Sequence, residues 1–340
     1  MASDLSLRAP AALGASDKGS PWPGLLLTAA IAAFAFLPRA ATGWTMLNPL
    51  VVAILLGIAW RSLARVPAAA ARGLALSQRG VLRFAIALLG LQISVAHVAA
   101  IGWIGATVAL TCLIAAFLFT RALGRWLGVE PQLATLIAAG TSICGASAIA
   151  AVNAATRAPE EDAAYAIACI TLFGTAAMLL YPLIAALLPL GPHAYGLWSG
   201  ATLHELGQAV AAAFQQGDAA GQSGTVAKLL RVAALPAMVL LLAWGRASAA
   251  KTGAPRAAMP WFVLGFAVCM ILGNLVDLPA GPKAWANHAA LFLLCMGLAA
   301  MGLATNLSKL RAKGWRPLLA AGGGTLFIAT LGLVLTLWLV

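Results

Sequence analysis

Gly140-Thr141-Ser142-Ile143-Cys144-Gly145-Ala146-Ser147-Ala148 lies inside an apolar run, residues 131–155, that carries no charged side chain. A helix needs about 20 such residues to cross a bilayer. Glycines and small hydroxyl residues crowded at the centre predict a helix that unwinds there. The start of its second half then offers backbone N–H groups and partial positive charge, which suit an anion. Lipid permits such a break only where protein or a water-filled cavity satisfies the freed backbone. The segment therefore points to an all-α membrane protein with broken helices near the midplane.

The rest of the chain agrees. Of its 340 residues, 62% are hydrophobic and only 9% charged, against about 25% charged in a soluble domain. Apolar runs at 22–37, 47–60, 80–98, 102–120, 131–155, 163–188, 198–214, 223–245, 260–278, 286–307 and 316–339 predict about eleven transmembrane helices. Residues 1–20 read as a cytoplasmic tail, and 21–340 as a single transmembrane transporter domain. The net charge of +12 sits mostly in short loops, so it orients the chain and does not call for nucleic acid. With the N-terminus cytoplasmic, the inside segments hold most Lys and Arg, from Arg8 and Lys18 through Arg61, Arg121 and Arg246 to Lys313 and Arg316. The outside loops hold Arg39, Arg157 and Lys283, together with the acidic Glu160, Glu161 and Asp162. An odd span count leaves Val340 periplasmic. All five cysteines fall in apolar runs without a CxxC pair, and the chain asks for no metal or cofactor.

A second segment, Gly200-Ala201-Thr202-Leu203-His204-Glu205-Leu206-Gly207-Gln208, opens the short run at 198–214. Glu205 is the only carboxylate well inside an apolar run, and a buried acid in a membrane usually faces a cavity or a partner. His204 titrates near neutral pH. His204, Glu205 and Gln208 thus stand as coupling or gating residues. Gly140, Thr141, Ser142, Cys144, Gly145 and Ser147 stand as solute-binding residues, with Arg231 supplying the charge through parallel hydrogen bonds. Lys228 and Arg83 read as long side chains reaching for the interface. Gly90-Leu91 followed by Gly102-Trp103 recurs at an offset of 212 residues as Gly302-Leu303 and Gly314-Trp315. That suggests inverted repeats over 80–120 and 292–332, with Gln92 and Ser94 matched by Thr305 and Asn306. Asn153 is a further polar candidate. Thr171, Gly174 and Thr175 read as packing residues.

The stretches LLGLQIS (88–94), GTSICGASAIAA (140–151), ITLFGTAAMLLYP (170–182), GLWSGATLHELGQAVAA (196–212), VAKLLRV (226–232) and MGLATNLSKLRAKGWRPL (301–318) resemble the YeiH-type family of proposed sulfate exporters. The resemblance implies a bacterial inner-membrane protein that moves sulfate or small organosulfonates. On this reading the chain is a secondary transporter, not an enzyme. It lacks a GxxxxGK[ST] motif, so a gradient must drive uphill flux. Its partners are the lipid bilayer, a small anionic solute, a coupling proton or sodium ion, and a second copy in a homodimer. An intramembrane enzyme built on His204, Glu205, Ser142 and Cys144, and a passive anion channel, are the competing expectations.

Overall fold

The computed structural model describes residues 20–42, 48–64, 66–93, 95–156, 158–247, 261–276, 279–305 and 313–340. Among these residues every regular element is helical. In chain order they are α1 (Trp22–Thr42), α2 (Pro49–Leu63), α3 (Ala71–Leu76), α4 (Leu82–Leu89), α5 (Val95–Trp126), α6 (Pro131–Ser142), α7 (Ala146–Thr156), α8 (Glu160–Ala185), α9 (Pro192–Thr202), α10 (Leu206–Ala213), α11 (Asp218–Ala233), α12 (Leu235–Ala247), α13 (Trp261–Leu275), α14 (Ala280–Ala304) and α15 (Trp315–Leu339). A wide turn at Ser77–Val81 joins α3 and α4 into one helix, Ala68–Gln92. That helix, Ile101–Trp126 and the helices α8, α14 and α15 are long and apolar enough to cross a bilayer. Start signals are local: Asn48 Oδ1 accepts the Leu50 N–H at 2.9 Å, and proline opens α2, α6 and α9, where its missing N–H costs nothing.

Long-range contacts fix the direction of each helix. The end of α5, at Trp126–Gly128, lies beside Trp315 and Arg316 at the start of α15. Tyr165 Oη donates to Gly314 O at 3.0 Å, and Lys313 Nζ donates to Asp162 Oδ1. So α6, α8 and α15 all start at one end of the bundle, and the chain between α5 and α8 must return to the end it left. Gly140 accordingly packs against Ile149, nine residues on, whereas a straight helix would separate them by about 13 Å. The helices α6 and α7 form a re-entrant hairpin. The helices α9 and α10 form another, entering from the opposite end, where Tyr195 Oη donates to Ala212 O at 3.0 Å.

The expected crossings at 131–155 and 198–214 are therefore hairpins, so two of the eleven expected runs double back. The hairpin limbs have 12, 11, 11 and 8 residues, enough for about half a bilayer each. Each hairpin is followed by a full traverse, α8 after the first and α11–α12 after the second. These two hairpin-plus-traverse units run in opposite senses. The pairs α4 with α14, and α5 with α15, also run oppositely.

The expected placement of Glu160, Glu161 and Asp162 across the membrane from Lys313 does not hold, because Asp162 pairs with Lys313. Once α6–α7 turns back, the acidic cluster joins the end that carries Arg61, Arg72, Arg121, Arg125, Lys313 and Arg316. Arg157, Ser94 and nearly all of the expected tail lie outside the described residues.

The helices sort into two bundles. One contains α1–α4, α13 and α14; the other contains α5–α12 and α15, including both hairpins. Close approach holds the first together, with Gly57 against Gly302 and Gly24 against Gly73. Contacts between the bundles are sparse. At the end opposite the basic residues they part around a crevice of about 120 Å³ lined by Asn48, Leu89, Phe214, Asp218, Asn287 and Leu291 among others.

Candidate functional site

The two hairpin tips, 142–145 and 203–205, meet inside the second bundle. Each first limb ends there and leaves backbone carbonyls without helical partners. Two cations on α11 serve them. Lys228 Nζ donates to Ile143 O (2.8 Å), Leu203 O (2.6 Å) and His204 O (2.6 Å). Arg231 Nε donates to Ser142 O (2.9 Å), Nη1 to Ala201 O (2.8 Å) and Leu203 O (3.0 Å), and Nη2 to Thr141 O (2.8 Å) and Ser142 O (2.6 Å). Both side chains are fully buried. The three ammonium protons and five guanidinium N–H groups are all used. Lys228 therefore does not reach for the interface. Nor is Arg231 open to an anion in this conformation: it binds the negative ends of α6 and α9 to each other.

The second limbs start with positive ends, and one carboxylate serves both. Glu205 caps α10: its side chain accepts from the Gln208 N–H, while Gln208 Oε1 accepts from Glu205 N at 3.3 Å. The Glu205 carboxylate also accepts from the Ala146 N–H at the start of α7, and from Thr171 Oγ1 at 3.1 Å. Gln208 Nε2 donates to Thr171 O (3.2 Å) and Thr175 Oγ1 (3.1 Å). Two glycines make the room. Gly174 has the Gln208 amide where a Cβ would stand, and Gly145 presses on the Glu205 side chain at φ +67°, a conformation that disfavours other residues. His204 Nε2 lies 2.9 Å from Thr325 Oγ1 on α15. His204 Nδ1 and Thr141 Oγ1 are buried without a partner among the described residues.

The sequence-predicted residues thus divide. His204, Glu205 and Gln208 come together with Thr141, Ser142, Gly145 and Arg231 at the tips. They form a packed polar node rather than the wall of a wet passage. Gly140 serves packing against Ile149 and Ile170. Cys144 is a buried free thiol, and Ser142 Oγ donates within its own helix to Ala139 O at 3.4 Å. Ser147 faces the other bundle, where its Oγ accepts from Arg83 Nη2 at 3.2 Å. Thr305 does not join them: at the far end of α14 it closes the helix, its Oγ1 donating to Met301 O at 2.9 Å. Asn306 lies outside the described residues. Gln92 meets Gln222 through its backbone carbonyl (3.3 Å), and Asn153 Oδ1 is buried without a partner among the described residues.

Sequence reasoning missed Lys228, Thr325 and the Thr171/Thr175 pair. The last had a signal: two threonines four residues apart, flanking a glycine, form a polar stripe on one helix face. With Lys228, Arg231 and Glu205 as its charged groups, the node carries a formal excess of one positive charge.

Residues 23–321 match the family described as "Conserved hypothetical protein 698". A "UPF0324 membrane protein" of Listeria monocytogenes is 33% identical over 318 residues, covering 93% of this chain and 95% of the relative. Proteins of the same description are 37% identical in Pseudomonas aeruginosa, over 88% of this chain and 89% of the relative, and 37% identical in Bordetella bronchiseptica, over 86% and 91%. No solved structure matches. Identity of this level over nearly the whole chain carries the resemblance seen at the quoted motifs, and the chain belongs to the YeiH-type, UPF0324 family of membrane proteins.

Proposed function

We propose that this protein is a secondary transporter that exports a small sulfate- or sulfonate-like anion. It carries its solute without transforming it. The observation behind this reading is the pair of opposed hairpins whose tips meet at a buried, net-positive node. Half-membrane helices joined by broken backbone are the usual setting of a solute site near the midplane. The sparse boundary between the bundles supports alternating access, with the hairpin bundle moving against α1–α4, α13 and α14. The basic end faces the cytoplasm by the excess of Arg and Lys there. That leaves the N-terminus inside and the C-terminus outside. Glu205, as the acid that holds both second limbs, is the group through which a proton or sodium ion would couple to hairpin movement, with His204 beside it.

Counterflow in proteoliposomes tests the proposal. Vesicles loaded with unlabelled sulfate should take up radiolabelled sulfate transiently above its equilibrium level, and sulfite, small sulfonates and carboxylates should compete in a graded order. Uptake no greater than in protein-free vesicles for every one of these anions would overturn it.

A further inference from the structure

Lys228 and Arg231 cannot take a solute without releasing a tip carbonyl. Arg83 differs from both. It stands on α4 in the other bundle and reaches the tip of the first hairpin, its Nη2 donating to Ser147 Oγ across the bundle boundary at 3.2 Å. Its guanidinium carbon lies 5.5 Å from the centre of the Phe262 ring, which shields one side of the group. Its Nε, its Nη1 and one Nη2 N–H have no protein acceptor among the described residues. Its neighbour Leu82 packs against Gly207 in the first turn of α10, 3.5 Å from where a Cβ would stand. Consecutive residues of α4 thus touch both hairpins. Around them Thr141–Gly145 and Leu203–Gln208 are buried, while Ala146 and Ser147 are partly open.

We infer that Arg83 is the residue that binds the charged group of the transported anion, with the Ser147 hydroxyl as the second donor. This rests on the transport reading and names the ligands it lacks. A guanidinium with four spare N–H groups presents parallel donors that match two oxygens of a sulfate, sulfonate or carboxylate. An anion arriving there displaces Ser147 Oγ as acceptor, and the hydroxyl turns to donate. Because Arg83 and Ser147 belong to different bundles, the bound anion bridges the bundles, and its release leaves only the single direct Arg83–Ser147 hydrogen bond between these two residues. A half-buried guanidinium with unused donors between membrane helices is costly, and a recurring anionic occupant removes that cost.

Sulfate counterflow is measured for the wild type and for Arg83→Gln, Arg83→Lys and Ser147→Ala, alongside unfolding temperature in detergent with and without sulfate. A wild type that exchanges none of the anions fails the transport reading itself. With an active wild type, Arg83→Gln should raise the sulfate KM by about tenfold or more and lose the sulfate-dependent rise in unfolding temperature. Arg83→Lys should fall between, and Ser147→Ala should show a smaller KM increase. Wild-type KM and wild-type sulfate protection in Arg83→Gln would overturn the inference. Should Arg83→Gln not fold, Arg83→Lys and Ser147→Ala decide: raised KM in both supports it, and unchanged KM in both overturns it.

Discussion

The two hairpins reach one another from opposite ends of the molecule, yet their second limbs are finished differently. The start of α10 is sealed: Glu205 and Gln208 cap each other, Thr171 and Thr175 bind both, and every residue from Leu203 to Gln208 is buried. The start of α7 shares the Glu205 carboxylate but leaves Ala146 and Ser147 partly open toward the other bundle and Arg83. The shared core of the tips, held by Lys228 and Arg231, is built to stay intact. On the proposed transport reading, the open side of the first hairpin is the part that exchanges partners. A moving part needs both: a rigid tip that travels as a unit, and a contact weak enough to break.

The largest expected effect comes from breaking the rigid part. Arg231→Met or Lys228→Met leaves tip carbonyls buried without donors and should cost about 3–5 kcal/mol, read as loss of a monodisperse species in detergent. Arg231→Lys, with three donors for five acceptor contacts, should recover part of that. Next come the two glycines. Gly174→Ala should cost about 1–3 kcal/mol by driving a methyl into the Gln208 amide, and Gly145→Ala a similar amount through its positive φ; unfolding temperatures measure both. Glu205→Gln keeps one acceptor oxygen and turns an amide NH2 toward a cap N–H. Its unfolding temperature should fall by the equivalent of about 1–3 kcal/mol, while the pH dependence of sulfate flux disappears in proteoliposomes. Flux that still varies with pH as in the wild type would remove Glu205 from coupling. The smallest effect is expected far from the tips. The exposed Lys313 ammonium is held above its usual 10.5 by the hydrogen bond to Asp162. A raised folded value means that the pair's contribution is whole below that pH and fades only as strong alkali deprotonates the lysine. Lys313→Arg, which keeps a cation beside the buried Asp162, should therefore cost no more than about 1 kcal/mol, evenly across neutral pH.

Composition and apolar run length establish the membrane class, and the Gly-Thr-Ser segment marks the first helix break to within a residue or two, whereas the His-Glu segment reads as the opening of a short run. Neither tells whether the chain continues or turns back after the break, because an apolar run of about 20 residues looks the same either way. Direction is decided by pairings far apart in sequence, such as Asp162 with Lys313 and Tyr195 with Ala212. Charge asymmetry could not expose the error. Two crossings misread together restore the parity of everything outside them, so only the segment between the hairpins was placed on the wrong side. That segment holds the acidic cluster. The roles of Lys228 and Arg231 were hidden for a related reason: a sequence displays a cation but not the carbonyls that its fold brings to it.

Whether the first hairpin is reached from both sides of the membrane can be measured with Ser147→Cys in a protein otherwise free of cysteine, reconstituted in one orientation and exposed to a membrane-impermeant thiol reagent. Alternating access predicts labelling from either face, with sulfate shifting the balance between them. Labelling from one face only, at a rate that sulfate leaves unchanged, would contradict a hairpin bundle that moves its solute across the bilayer.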